Sequence, residues 1–313
     1  MLALIASRIA IMVPNVVLLT FLLFASVTSF LGTPAAIMLG ENASPEAVAE
    51  LNERMGFDQP LLLRYGDWMG SALTGDLGRS YATQQPVAQM IADALPLTLE
   101  LAVWAILIAF AGSSLINSVT FMRSYVQRVT AAVSVVGITI PNFFLGLLLI
   151  YVFAVELRLL PTTGWSPWSN GIGAHLVHMI LPVVTLTTFY FSSFSLVYRA
   201  EYESLRGSLF VRAARSKGLS ETRISYRHIL PNSILPLITY AGLSLGQLVG
   251  GAVVTETVFS MPGMGRLLVN AINTRDFPVM LAVGMVIIVG VMLLNLLADL
   301  AYGIVNPLVR HAR

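Results

Sequence analysis

Long apolar runs dominate this chain, in place of the short polar and apolar alternation of a water-soluble domain. Six of them, near residues 9–31, 95–121, 129–155, 177–198, 234–258 and 278–305, reach the roughly 20 residues that a helix needs to cross a hydrocarbon core. Peptide groups in hydrocarbon must bond to one another, so each run is expected to be a helix. The first run continues from Ile9 to Leu31 behind a single Arg8. It outlasts the about 7 to 15 residues of a secretory signal core and no convincing A-x-A site follows, so it reads as a retained anchor.

The polar stretches between the runs carry their own punctuation. After the first run, Ser44 and Pro45 form an N-cap and first-turn pair, with Gly56 as a stop, which predicts a short surface helix. A second helix opens at Pro60, carries Leu62, Tyr65, Trp68 and Met69, and ends at Gly75 and Gly78. This segment reads as a folded external cap, with direct contact to a substrate as the alternative. Between the fourth and fifth runs, Arg199 to Pro231 is richer still in signals. Gly207 interrupts the helix leaving the membrane, Ser208 can cap a new one, and Gly218 can take the left-handed conformation that closes it. Ser220 and Glu221 then start a helix that runs towards Pro231. The expected result is a knuckle.

On that knuckle Leu209, Phe210, Ala213 and Ala214 share one side at helical spacing, with Arg212, Arg215 and Lys217 around them. An apolar patch with a basic rim suits docking against another protein. It equally suits a helix lying on anionic headgroups.

Composition sharpens this picture. At 313 residues, 56% hydrophobic and 11% charged, with a mean hydropathy of +0.79, the chain is too apolar for a soluble domain. The net charge is +2 and the basic residues are scattered, which excludes a nucleic-acid footprint. Absence of cysteine excludes disulfides, thiolate metal sites and a cysteine nucleophile. With the N-terminus inside, Arg8, Arg123, Arg128, Arg199, Arg206, Arg212, Arg215, Lys217, Arg223, Arg227, Arg310 and Arg313 fall on one side, so both termini are expected to be cytoplasmic. Two domains are expected: 1–94, the first span with its external cap, and 95–313, a five-helix core with the cytoplasmic loop at 199–231.

Candidate chemistry is sparse. Lys217, the one lysine, follows Ser216 and not a glycine-rich turn, so no P-loop is present and this chain is not expected to hydrolyse ATP. His175 and His178 lie three apart without a nearby acid, which reads as a polar turn at the membrane edge in preference to a metal site. Gly242, Ser244 and Gly246 spell the G-x-S-x-G of a hydrolase elbow. The surrounding run is helical, however, and Gly242, Gly246 and Gly250 line one side of it, a pattern for close helix packing. Glu100, Glu256 and Asp299 sit near predicted span ends, where a hydrogen-bonded structural role is expected. Gln247, at mid-span, either faces a translocation pathway or bonds a neighbouring helix. Pro141 and Asn142 are expected to kink the third span, lining the pathway or serving architecture alone.

The stretch FVRAARSKGLSETRISYRHILPNSILP at 210–236 resembles the cytoplasmic loop of binding-protein-dependent ABC (ATP-binding cassette) permeases, with Ala213, Ala214 and Gly218 at its key positions. Arg212, where the general pattern has Glu, is similar to the dipeptide and oligopeptide importer branch. Further similar segments are GFDQPLLLRYGDWMGSALTGDLGRSY at 56–81, LPLTLELA at 95–102, ETVFSMPGMGRLLVNAINTRDFPV at 256–279 and LNLLADLAYGIVNPLVR at 294–310. The departures are LGTP at 31–34, where Gly-Asp-Pro is commoner, and Asn306 where Asp is usual.

The resemblance implies an all-α integral membrane protein of the type I ABC importer kind, with six transmembrane helices and a cytoplasmic coupling helix between spans four and five. Leu209, Phe210, Ala213, Ala214, Lys217 and Gly218 would dock on an ATPase. It implies a second homologous permease subunit, two cytoplasmic ATPase subunits that use ATP and Mg, an external substrate-binding protein, and a bacterial inner membrane. No cofactor is expected on this chain itself. The implied cargo is di- or oligopeptides, with nickel chelates, glutathione, opines and oligosaccharides carried by similar permeases. Two readings outside the family are a proton-coupled carrier, for which paired inverted repeats are not evident, and an intramembrane hydrolase at Ser244, which lacks a partner base.

Overall fold

A computed structural model describes residues 2–30, 35, 39, 44–54, 56–120 and 124–305. LGTP at 31–34, Arg123, Asn306, Arg310 and Arg313 lie outside them. Helices dominate and the described residues hold no strand, only an isolated bridge between Arg79 and Pro86. In chain order the helices are α1 (Leu2–Phe30), α2 (Pro45–Arg54), α3 (Leu61–Leu73), α4 (Val87–Thr120), α5 (Ser124–Thr139), α6 (Asn142–Leu149), α7 (Ile172–Arg206), α8 (Leu209–Ser216), α9 (Glu221–Gly251), α10 (Val253–Val258), α11 (Met264–Asn273) and α12 (Phe277–Val305). α1, α4, α7, α9 and α12 are long and apolar enough to cross a membrane. The all-α membrane class therefore holds.

The third span is a different object from the kinked helix expected. Val126–Thr139 and Asn142–Glu156 meet at 102°, so the chain breaks here. Proline is the cause: it disfavours helical backbone in the residue before it and has no N–H to give, and Pro141 is extended at φ −61°, ψ 134°. Past Leu149 the second arm widens into a π-helix over Ile150–Glu156. The fifth span also differs from expectation, starting at Glu221 and ending at Gly251. Pro231 does not stop it, because it occupies the first turn of the α-helical stretch, where an N–H is not needed.

The chain forms two compact units, Met1–Thr98 with Pro262–Met292, and Leu99–Met261 with Leu293–Arg313. The expected division at residue 94 left out the return of 262–292 to the first unit. Asp276 accounts for that return. Its buried carboxylate accepts hydrogen bonds from Ser80 Oγ at 2.5 Å and from the backbone N–H of Tyr81 at 3.0 Å, fastening the α11–α12 turn to the loop before α4. A pairing across 195 residues leaves no periodic trace in a sequence.

The core of the first unit is mostly aliphatic, and aromatic packing joins α1 to α3. Phe24 of α1 lies 5.8 Å from Tyr65 and 5.6 Å from Trp68 of α3, ring centre to ring centre. Tyr65 also donates to the Val17 carbonyl at 3.0 Å. The short helices follow their caps: Ser44 Oγ accepts from Ala47 N–H at 3.2 Å, and Gly56, Gly75 and Gly78 all have positive φ.

In the second unit α7 is the post on which α5, α6 and α9 pack. Two close approaches mark this unit, one of them on α7. A Cβ at Gly137 of α5 would overlap Ser192 Oγ of α7, and one at Gly146 of α6 would stand 3.2 Å from the Phe259 ring.

Asp276→Ala is expected to destabilise the protein by about 3 kcal/mol, since it leaves a buried hydroxyl and N–H without their charged acceptor. Thermal unfolding in detergent checks this, with Ser80→Ala causing a smaller loss.

Candidate functional site

The knuckle is assembled where two membrane helices meet a turn. α7 ends at Arg206, α8 runs from Leu209 to Ser216, Gly218 has a φ of 75°, and α9 starts at Glu221. Ser220 Oγ accepts from Arg223 N–H at 3.4 Å, which caps α9 weakly. Ser208 behaves differently from the cap expected. Its hydroxyl donates to the Leu205 carbonyl at 2.6 Å, closing α7, while its own carbonyl accepts from Arg212 N–H at 3.2 Å to begin α8. One serine thus serves the end of one helix and the start of the next.

The four apolar residues do not share one face. Ala214 is buried together with Val211, which is fully enclosed, whereas Leu209 and Phe210 are 81% and 43% exposed and Ala213 points outward with them. Residues 211 and 214 are one turn apart, which turns both towards the chain. Val211 was missed in the sequence although its i, i+3 spacing to Ala214 was the available signal. Ile224 is also fully enclosed, and the buried hydroxyls of Tyr202 and Ser225 bond across at 2.8 Å. The knuckle therefore has an anchored inner face and an outer apolar face of Leu209, Phe210 and Ala213, with exposed Arg212 and Lys217 beside it.

Its turn is held by charge. Arg215 donates from Nε to Glu221 Oε1 at 2.6 Å and from Nη2 to Oε2 at 3.1 Å. This hydrogen bonding, aided by the opposite charge, holds the Glu221 carboxyl below its ordinary value, and it raises Arg215 in turn. Both groups are exposed, so the pair orients the turn more than it stabilises the fold.

The remaining candidates are dispersed. Gly242 packs on α12, where an added Cβ would lie 2.7 Å from Ala298 Cβ. Gly246 is buried, but Gly250 is exposed with open space around it, so close packing is confined to one end of the stripe. Ser244 sits within α9 and donates to the Tyr240 carbonyl at 2.7 Å, a helical position with no elbow. Gln247 is exposed on α9. Pro141 and Asn142 form the break between α5 and α6. A recess of about 290 Å³ borders that break, lined by Val133, Val136, Ile140, Thr187 and Thr188.

Sequence reading separated two groups that the fold brings together. His175, fully buried, places Nε2 2.8 Å from Glu100 Oε1 and Nδ1 2.7 Å from the Ser166 carbonyl, with its ring stacked 3.8 Å from Trp168. A carbonyl can only accept, so Nδ1 carries a proton and Nε2 shares one with the carboxyl group. His178 is turned elsewhere, to the Ala174 carbonyl. Among the described residues no cluster of metal-capable side chains is present. Glu256 was expected at a wet span end and is instead fully buried.

Comparison with known proteins follows the same outline. Residues 102–311 match the model of the family described as binding-protein-dependent transport system inner membrane component, and residues 1–102 match the N-terminal model of the corresponding membrane component. A probable peptide ABC transporter permease of Sinorhizobium fredii is 35% identical over 90% of both chains. The glutathione transport system permease protein of Escherichia coli is 34% identical over 99% of this chain and 100% of its own. A crystal structure of an amino acid ABC transporter with histidines shares the fold, at a TM-score of 0.54 and 17% identity over 68% of this chain and 93% of that one.

In Arg215→Ala the Glu221 carboxyl is expected to titrate higher than in the wild type, because its depression comes first from the Arg215 hydrogen bond. The sign follows from that depression: the contact contributes above the ordinary value and is lost as pH falls through the lowered one. Carbon-13 NMR of a labelled Glu221 side chain reads it directly.

Proposed function

This chain belongs to the binding-protein-dependent transport system inner membrane components, and on that footing we propose that its knuckle is the surface through which ATP hydrolysis elsewhere drives a conformational change here. The chain is a multi-pass inner-membrane permease subunit of the peptide-type ABC importers. It is not catalytic, and the ATPase is a separate partner.

In the proposed arrangement both termini and the knuckle are cytoplasmic, and the α2–α3 cap is external. One of two ATPase subunits receives Leu209, Phe210 and Ala213, with Lys217 at the rim. A second permease completes the pathway, and an external binding protein delivers cargo. ATP and Mg act on the ATPases. The observation that carries this reading is the division of the knuckle into an anchored face, Val211 and Ala214, and an outer one, Leu209 and Phe210. Adjacent apolar side chains exposed as one patch with a basic rim suit a covering partner, where scattered single ones would not, and an anchored base lets force on the outer face reach α7 and α9.

The cargo we propose is short peptide-bonded solutes, glutathione included. The named roles of the two relatives, peptide and glutathione transport, meet in that class.

Affinity purification of the tagged chain in mild detergent, followed by mass spectrometry, tests the assembly. A related permease and P-loop ATPases are expected to co-purify; a single-chain species that transports alone would refute the proposal. Gly218→Val forces a β-branched residue into positive φ, a strain of ~1–3 kcal/mol. ATP-dependent uptake should fall roughly tenfold for each 1.4 kcal/mol transmitted to docking, with membrane insertion unchanged. Ala213→Asp should release the ATPase from the purified complex, as it sets a charge in an apolar contact.

A further inference from the structure

The first unit contains a half-open recess of about 360 Å³ bordered by the outer end of α1, by α3 and by the start of α12. That volume is at the small end of the roughly 300–1,000 Å³ typical of small-molecule sites. Its walls are Phe57, Trp68 and Tyr81, and it holds three charged side chains, Arg64, Asp67 and Asp76.

Arg64 is the unusual member. Its guanidinium lies 5.3 Å from the Phe57 ring centre and 5.8 Å from that of Phe24, and Nη1 donates to the Phe57 carbonyl at 3.2 Å. Burial pulls its pKa down, yet a guanidinium stays charged at any ordinary pH. Five N–H donors in a flat fork, with one committed to a carbonyl, leave an edge that fits a carboxylate. Asp67 stands one turn away on α3, at the i, i+3 distance where opposite charges ordinarily pair. They do not pair, and among the described residues no hydrogen bond or ion pair engages Asp67. A cation drawn to aromatic faces, within electrostatic range of Asp58 but in ion-pair contact with no carboxylate among the described residues, and an unpaired acid one turn along form a two-pole site.

We propose that this recess binds a small zwitterion, a dipeptide or a peptide terminus, with the carboxylate on Arg64, the ammonium on Asp67 and a side chain against Trp68 and Tyr81. The site lies in the cap, apart from the knuckle, and would hold cargo at the external mouth. The inference rests on the proposed transport of peptide-bonded solutes.

The experiment uses the full chain in its purified complex, in detergent without the binding protein, and titrates alanyl-phenylalanine by calorimetry. Wild type is expected to bind the free dipeptide at least tenfold more tightly than its C-terminal amide. Arg64→Gln should lose that preference and Arg64→Lys should retain part of it, while Asp67→Asn should abolish discrimination against the N-acetylated dipeptide. Equal binding of acid and amide by wild type, or an unchanged Arg64→Gln, overturns the proposal. Glycerophosphoethanolamine is titrated in parallel, and its binding without dipeptide binding overturns it also, since the site then takes a lipid headgroup. Uptake of the same dipeptide by the complete transporter separates the two claims. Uptake with no cap binding sinks this site alone, and absence of uptake for any peptide sinks the peptide reading.

Discussion

A peptide group in hydrocarbon has no water to bond, so it must bond within its own segment, and a polar side chain there faces the same demand. This protein meets the demand locally. Thr20, Thr28, Thr130, Thr185, Ser233 and Ser244 each return their hydroxyl to a carbonyl four residues back. Bonded in this way, they leave the helix exteriors apolar and free to slide or pack. Apart from contacts between helices such as Asn117 to Ser195, polar groups that do not close on their own helix gather at the breaks: the His175–Glu100 pair at the start of α7, the Asp276 clamp and the knuckle between α7 and α9.

The knuckle is the break to which we assign the docking role. α7 has 35 residues, a length of about 50 Å at the usual helical rise, and carries the knuckle at one end and the His175–Glu100 contact at the other. α5 packs on its flank through Gly137, where an added side chain would meet Ser192 at once, and Gly146 of α6 packs as closely against Phe259 at the end of α10. A displacement of the knuckle base therefore reaches packed helices and not loose chain. That mechanical continuity is what a subunit driven by a separate ATPase requires.

How much was legible in the sequence follows from the range of each interaction. Spans, caps and the Gly218 turn depend on residues within a turn of one another, and runs such as 278–305 or the Ser44–Pro45 pair announce them. The knuckle's two faces were half legible: the i, i+3 relation of Val211 to Ala214 was present, but Ala214 had been grouped with the outward residues. What stayed hidden were partners far apart in the chain. Nothing near His175 signals Glu100, and nothing near Asp276 signals Ser80, because a single hydrogen bond across a fold imposes no period. The corner at Pro141 had its signal in the proline itself. A helix in a bundle can absorb a proline as a kink, and only the packing of both arms decides for a break.

In the proposed arrangement the outer face of α8 is where the ATPase engages. Photocrosslinking reads this most directly, with a photoreactive residue placed at Leu209 or at Trp168, beyond the two opposite ends of α7. Leu209 is predicted to yield an adduct with the ATPase that Trp168 never gives. Adducts from Leu209 to lipid alone, with the ATPase present and bound, would contradict it.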